Sequence, residues 1–169
     1  MKFGMGWSSF IPTLLKAVQN TEGPILELGS GLFSTPLLHW LCAEQGRKLS
    51  TYENTQEYYK FARKFRTKTH KIKFVTDWAK EDFDKKKWSV VLIDHTPPIR
   101  RTTDALRLKN RAQYIVLHDT QEKSWHYYGY KKLWPKFKNI YHWEYGLSYL
   151  PRTSVVSNIS DLSLFREGT

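Results

Sequence analysis

Cysteine is almost absent from this chain: Cys42 is the single one in 169 residues. An intramolecular disulfide and a thiolate zinc site are thereby excluded. Cys42 falls among Leu38, Trp40 and Leu41 and reads as a small buried hydrophobe. Long apolar runs are missing too, and none approaches the ~18 residues of a membrane-spanning helix, so no membrane partner is expected. The stretch from Met1 to Trp7 lacks the apolar core of a secretion signal, which makes a soluble, cytoplasmic protein the expectation. Without internal repeats, low-complexity tracts or linkers, residues 1–169 suit one domain. Acidic side chains are scarce, 16 against 27 basic ones, for a net charge of +11. Acidic partners, nucleic acid included, must be weighed, although the cations are spread over several segments and solvated helix faces account for many of them.

What is present is one stretch around which the rest is arranged: Pro24-Ile25-Leu26-Glu27-Leu28-Gly29-Ser30-Gly31-Leu32-Phe33-Ser34-Thr35. A short apolar run breaks at two glycines and passes into a helix, so it reads as strand, glycine turn and helix start. Gly29 and Gly31 permit backbone angles that a side chain forbids and let a ligand approach the main chain. Thr35 can cap the next helix, and Pro36 suits its first turn. In doubly wound α/β folds such a turn, with helix amides facing it, holds a nucleotide-like cofactor. The glycine spacing serves nicotinamide, flavin and adenosylmethionine proteins alike. Glu27 narrows the choice: an acid two residues ahead of the first glycine would repel a pyrophosphate and suits a cofactor bearing positive charge and an amino group.

Residues 8–19 read as a capped helix with Pro12 in its first turn. Residues 48–53 read as a second strand ending in Glu53, about 20 residues past the glycine turn, where a carboxylate can accept ribose hydroxyls. The next helix carries Lys60, Arg63 and Lys64 as a solvated stripe. A third strand over 71–75 is followed by Asp77 and Trp78, which on local grounds are a helix cap and a packed ring. Residues 88–94 form the clearest buried strand, ending in Asp94 ahead of His95. Thr96-Pro97-Pro98-Ile99 forces an extended turn before a helix over 100–109, and a fifth strand over 114–117 ends at His118-Asp119-Thr120. Two parallel strands thus deliver His and Asp to one sheet edge. The aromatic and basic segment 125–138 is a substrate wall or an irregular helix with covering aromatics, and 140–145 and 153–157 read as two last strands.

These features resemble the class I S-adenosylmethionine-dependent methyltransferases, whose first motif is an acid, any residue, Gly, any residue, Gly, as in Glu27-Leu28-Gly29-Ser30-Gly31. Phe33 stands where many of those enzymes have a third glycine, and Ser34 occupies the last glycine position of the dinucleotide fingerprint. The resemblance implies an α/β fold: a doubly wound, mostly parallel seven-stranded sheet with helices on both faces and a C-terminal antiparallel strand pair. It also implies S-adenosylmethionine as cofactor, held by Glu27, Gly29, Ser30, Gly31, Ser34, Thr35, Glu53 and Asp94. Asp77 would receive the adenine amino group and Trp78 would cover the ring.

Three activities are open. Methyl transfer to an oxygen or nitrogen of a small molecule is the leading expectation, with the sulfonium supplying the methyl group, the protein aligning the reactants, and His95 or His118, beside Asp119, serving as base. The chain is also similar to catechol-type O-methyltransferases, whose metal-binding aspartates Asp94 and Asp119 match. Thr120 replaces their asparagine and Pro97 their catalytic lysine, so magnesium is not favoured and no metal ligand is assigned. The alternative is methylation of RNA or DNA, prompted by the charge and by Thr96-Pro97-Pro98-Ile99. Amino-methylating DNA enzymes carry Asp, Asn or Ser, two prolines and an aromatic there. The third is a cofactor-binding protein without activity, because every matched residue serves binding.

Overall fold

The run Trp88–Ile93 is buried at every position, which requires strands on both sides and cover on both faces. The computed structural model describes residues 6–144 and 150–166, and it supplies both. In chain order the elements are α1 (Ile11–Gln19), β1 (Ile25–Leu28), α2 (Ser34–Glu44), β2 (Leu49–Glu53), α3 (Gln56–Ala62), β3 (His70–Phe74), β4 (Trp88–Ile93) and α4 (Arg100–Leu108). There follow β5 (Ala112–Leu117), α5 (Trp125–Tyr128), α6 (Tyr130–Leu133), β6 (Asn139–Trp143), β7 (Thr153–Ser157) and α7 (Ser163–Arg166), with short 3-10 turns between some of them. The seven strands form one sheet in the order β3-β2-β1-β4-β5-β7-β6. Strands β1 to β5 are parallel, and β7 runs antiparallel between β5 and β6. This is the doubly wound, mostly parallel sheet with a C-terminal antiparallel pair that the sequence implied.

Side chains alternate across the sheet with period two, so one strand feeds two cores. On β4, Val91 and Ile93 join a cluster covered by Trp78, Phe83, Ala105 and Leu108 of α4, and Tyr130 and Leu133 of α6. Val90 and Leu92 join the other, covered by Phe10, Leu14 and Val18 around α1, Leu38 and Cys42 of α2, and Phe165 of α7. Each such aliphatic side chain stabilises the fold by ~1.5–3 kcal/mol relative to an exposed one. Cys42 is 2% exposed, the buried hydrophobe foreseen, and burial pushes its thiol up to about 11.

Winding reverses at β1, whose neighbours β2 and β4 lead to opposite edges of the sheet. Leu28 is level with Tyr52 and with Ile93, and Ile93 with Leu117. The residues just beyond, Gly29, Glu53, Asp94 and His118, therefore open on one crevice. Local details differ from the expectation. α1 begins at Ile11 because a turn at residues 6–10, with Gly6 at φ +85°, precedes it. Segment 125–138 takes the second of its two expected forms, an irregular helix, as two short helices that meet at Gly129, φ +72°. The predicted strand over 140–145 is observed as Asn139–Trp143, and residue 145 lies outside the described residues. Among the described residues, no helix is long and apolar enough to cross a membrane.

Candidate functional site

The glycine turn packs directly on the end of β4. Gly29 has φ +90°, and a Cβ there would lie 2.6 Å from the His95 nitrogen. Glycine is thus required for its backbone angle and for the close approach together. Because β1 alternates, Glu27 points to the α2 face beneath the turn and does not line the crevice. Its fully buried carboxylate accepts hydrogen bonds from the Thr51 hydroxyl at 2.7 Å and the Thr35 hydroxyl at 3.0 Å. Thr35 in turn accepts the Gly31 amide at 3.0 Å, so this acid braces the turn from below and Thr35 is no helix cap. Burial, only partly offset by the Ser34, Thr51 and Thr35 hydroxyls, pushes the Glu27 carboxyl up to about 7. The chain of contacts continues from Thr51 to His70 at 2.9 Å and from His70 to His39 at 3.1 Å, and burial pulls His70 down to about 4.

Above the turn is a cleft of about 330 Å³, within the ~300–1,000 Å³ of ligand pockets. Ser30, Gly31 and Ser34 form one wall, Glu53 and Tyr58 another, and Asp94, His95, Thr96, His118 and Asp119 the floor, with Trp7 and Phe10 closing one end. Glu53 ties the two loops together: Oε2 accepts the Ser30 amide at 2.7 Å and its hydroxyl at 3.0 Å, and Oε1 accepts the Thr55 amide at 2.5 Å. Three of its roughly four acceptor sites are therefore in use, which leaves room for a ligand hydroxyl.

Asp77 and Trp78 lie outside this cleft. The Asp77 side chain is 46% exposed and caps a 3-10 turn by accepting the Ala79 amide at 2.9 Å. Trp78 is buried, donates its indole N–H to the Thr96 carbonyl at 2.8 Å, and packs on the His95 ring. Both follow β3 at the sheet margin, and the capping geometry turns the acid to solvent. Tyr58, in the first turns of the helix after Glu53, is the aromatic that lines the cleft on that side.

The residue that sequence reasoning missed is Arg101. It sits in line with Ala105 and Leu108, a core-facing stripe of α4, and only 5% of it is exposed. Its guanidinium reaches Asp94 Oδ1 at 2.8 Å and Asp119 Oδ2 at 3.1 Å, and it donates to the carbonyls of Asp94, His95 and His118. An arginine on the buried face of a helix next to two acidic strand ends was the available signal. Tyr128 completes the knot, lying 4.8 Å from the guanidinium and donating to Asp119 Oδ2 at 3.1 Å.

The two histidines are committed elsewhere. His118 Nδ1 lies 3.3 Å from Asp94 Oδ1, and Nε2 faces the Gly6 carbonyl at 3.2 Å and the Ser9 hydroxyl at 3.0 Å. Both ring nitrogens of His118 are thus engaged in hydrogen bonds within the protein. Burial opposes charge on the ring, but Asp94 and Asp119 outweigh it and raise the ring above its ordinary value. Asp94 is held low in return, because Arg101 and His118 outweigh its own burial. The His95 imidazole has no exposed surface; Nε2 lies 3.0 Å from Asp104, and burial, outweighing Asp104, keeps the ring neutral. Its Nδ1 has no hydrogen-bond partner among the described residues. Neither ring offers an accessible base in this arrangement.

Asp94, His118 and Asp119 bring one potential ligand atom each within 4.8 Å of one another. The carboxylate oxygens concerned are those that Arg101 already bridges, with His118 against them. A cation is built into the chain at this point, and the donor set does not fit a metal.

No family model matches the chain, and no curated protein matches it. Solved structures do. Human methyltransferase 10 domain containing protein is 13% identical over 95% of this chain and 85% of that one, with a TM-score of 0.64. The N-terminal domain of human METTL16 in complex with SAH is 12% identical over 95% and 73%, with a TM-score of 0.64. The human Mettl16 catalytic domain in complex with MAT2A 3'UTR hairpin 1 is 12% identical over 95% and 72%, with a TM-score of 0.62. The likeness extends over nearly the whole of the seven-stranded chain, which has the fold of the class I S-adenosylmethionine-dependent methyltransferases.

Proposed function

We propose that this protein is an S-adenosylmethionine-dependent methyltransferase acting on RNA. The observation that carries the proposal is the meeting of three features on one cleft: the glycine turn, Glu53, and the Asp94–Thr96 strand end that leads into Pro97-Pro98. The first two suit the cofactor. Ser30 and Gly31 offer a close main-chain surface, Glu53 can accept ribose hydroxyls, and Tyr58 offers a ring face for the adenine that Asp77 and Trp78 do not reach. When bound, the sulfonium supplies an activated methyl group.

The third feature bears on the acceptor. With the His95 ring shielded and both His118 nitrogens engaged in hydrogen bonds, neither histidine is placed to deprotonate a hydroxyl, which favours an amine that attacks as it stands and loses its proton afterwards. Thr96, Pro97 and Pro98 are exposed beside the cleft, where an extruded base could be held. The net charge of +11 suits a polyanionic substrate better than a small molecule. A neighbour of this fold is described with a 3'UTR hairpin, which supports RNA over the small-molecule acceptor expected from sequence.

Calorimetric titration with S-adenosylmethionine tests the cofactor: binding is expected, Glu53→Ala should weaken it at least tenfold (~1.4 kcal/mol), and Asp77→Ala should leave it unchanged. Transfer of a labelled methyl group to total RNA, measured beside catechol and small amines, tests the acceptor. Absence of cofactor binding would refute the whole reading, and labelling of the small acceptors alone would refute the RNA part.

A further inference from the structure

In sequence the lysines and arginines look dispersed, but the fold collects many of them on one edge. Lys86 and Lys87 stand immediately ahead of β4, Lys109 and Arg111 ahead of β5, and Lys136 and Lys138 ahead of β6. Since β4, β5 and β6 all run in the same direction, these segments share the amino edge of the sheet, opposite the cleft. Hydrogen bonds knit the segments together. The Trp88 amide donates to the Arg111 carbonyl at 2.7 Å, and Asn158 accepts from the Lys138 amide at 2.7 Å while donating to Asn110 and to the Lys136 carbonyl. Lys48 and Lys68, ahead of β2 and β3, continue the row, with the Leu49 amide bonded to the Thr69 carbonyl. All of these cationic side chains are exposed except Lys109, which is half-buried, and none is in an ion pair with a described residue. Glu22, Glu44, Asp82 and Asp161 are the exposed acids of the same connections, and they are outnumbered.

We infer that this amino edge is a second nucleic-acid contact, a basic belt that takes the sugar–phosphate backbone of an RNA whose target nucleotide enters the cleft on the opposite edge. The choice of RNA as the polyanion rests on the function proposed above. Neighbouring strands are ~4.8 Å apart, so cations one or two strands apart are spaced by about 5–10 Å along the edge, a row able to neutralise successive phosphates and release their counterions. Cleft and belt are separated by a strand length of roughly 17–20 Å, so only an RNA that folds or wraps around the sheet reaches both. The belt therefore selects structured RNA over short oligonucleotides without reading any base.

The test is binding of a labelled RNA stem-loop by fluorescence anisotropy across a salt series. The wild-type protein is compared with a belt variant (Lys87→Ser, Arg111→Ser, Lys138→Ser) and a control variant (Lys80→Ser, Lys123→Ser, Lys132→Ser) that removes as many charges away from this edge. The belt variant should bind at least tenfold more weakly at low salt, with the slope of log affinity against log salt reduced by about 2. The control should stay within about threefold of wild type, and S-adenosylmethionine binding should be unchanged in both. Equal losses in the two variants, or no RNA binding by the wild type, would overturn the inference. Binding through the belt without any methyl transfer to RNA would overturn the proposed substrate and leave the belt standing.

Discussion

Replacing Arg101 by methionine tests the ionic knot at the cleft floor. Removing one partner of a buried ion pair destabilises by ~3–5 kcal/mol, because the charge left behind is uncompensated. Here two carboxylates are left, but 26% and 22% of their side-chain surfaces remain accessible and His118 stays beside them, so water and the imidazole relieve part of the loss. The three strand-end carbonyls that Arg101 binds lose a donor as well. We expect a loss of about 3 kcal/mol, a large share of the ~5–15 kcal/mol that holds such a domain together. Urea unfolding followed by tryptophan fluorescence reads it as a lower midpoint with an unchanged slope. Arg101→Lys keeps the charge but cannot fork between Asp94 and Asp119, and it should fall between the two. With the guanidinium gone, Asp94, His118 and Asp119 are free to bind a divalent ion, so manganese should raise the melting temperature of Arg101→Met and leave that of wild type alone. A loss below about 1 kcal/mol, or a lysine variant as stable as wild type, would show that the fork does not organise the floor.

Two further outcomes follow from the glycine turn. The Glu27 carboxyl is raised from 4.5 to about 7 in the folded state, so the folded protein holds that proton across a window in which the unfolded chain releases it. Its contribution is fully present below pH ~4.5 and is lost as pH rises through 7, about 3 kcal/mol at 1.36 kcal/mol per unit. Glu27→Gln should flatten this part of the stability profile, and an unchanged profile between pH 4.5 and 7 in guanidinium titrations would contradict the assignment. Gly29→Ala combines φ +90° with a clash 2.6 Å from the His95 backbone and should cost well over 2 kcal/mol, whereas Gly46→Ala, at φ +65° with nothing within 4 Å, should cost only ~1 kcal/mol. Similar melting temperatures for the two would remove the argument that the turn is pressed against β4.

The element order, the parallel sheet, the glycine turn and the placing of Glu53 at a strand end were all legible along the chain. Period-two alternation, glycine at a forbidden backbone angle and a strand's exit toward the switch point are consequences of local sterics and burial, which neighbours in sequence carry. The roles of the polar residues were decided by partners far along the chain. Glu27 reads as a cofactor ligand along the chain, yet strand alternation aims it at Thr35 and at Thr51, 24 residues away. His118 reads as a base until Ser9, 109 residues distant, and Asp94 close around it. Arg101 reads as one more helix cation until the fold sets it between two strand ends. The same holds for the surface charge: spacing along the chain disperses the lysines, and only the common direction of β4, β5 and β6 brings them to one edge. A side chain's chemistry belongs to its sequence position, but its protonation, burial and neighbours belong to the packing. That is why the strand order and the glycine turn follow from the chain itself, while the surroundings of the histidines and the Arg101 contacts follow only from the packing.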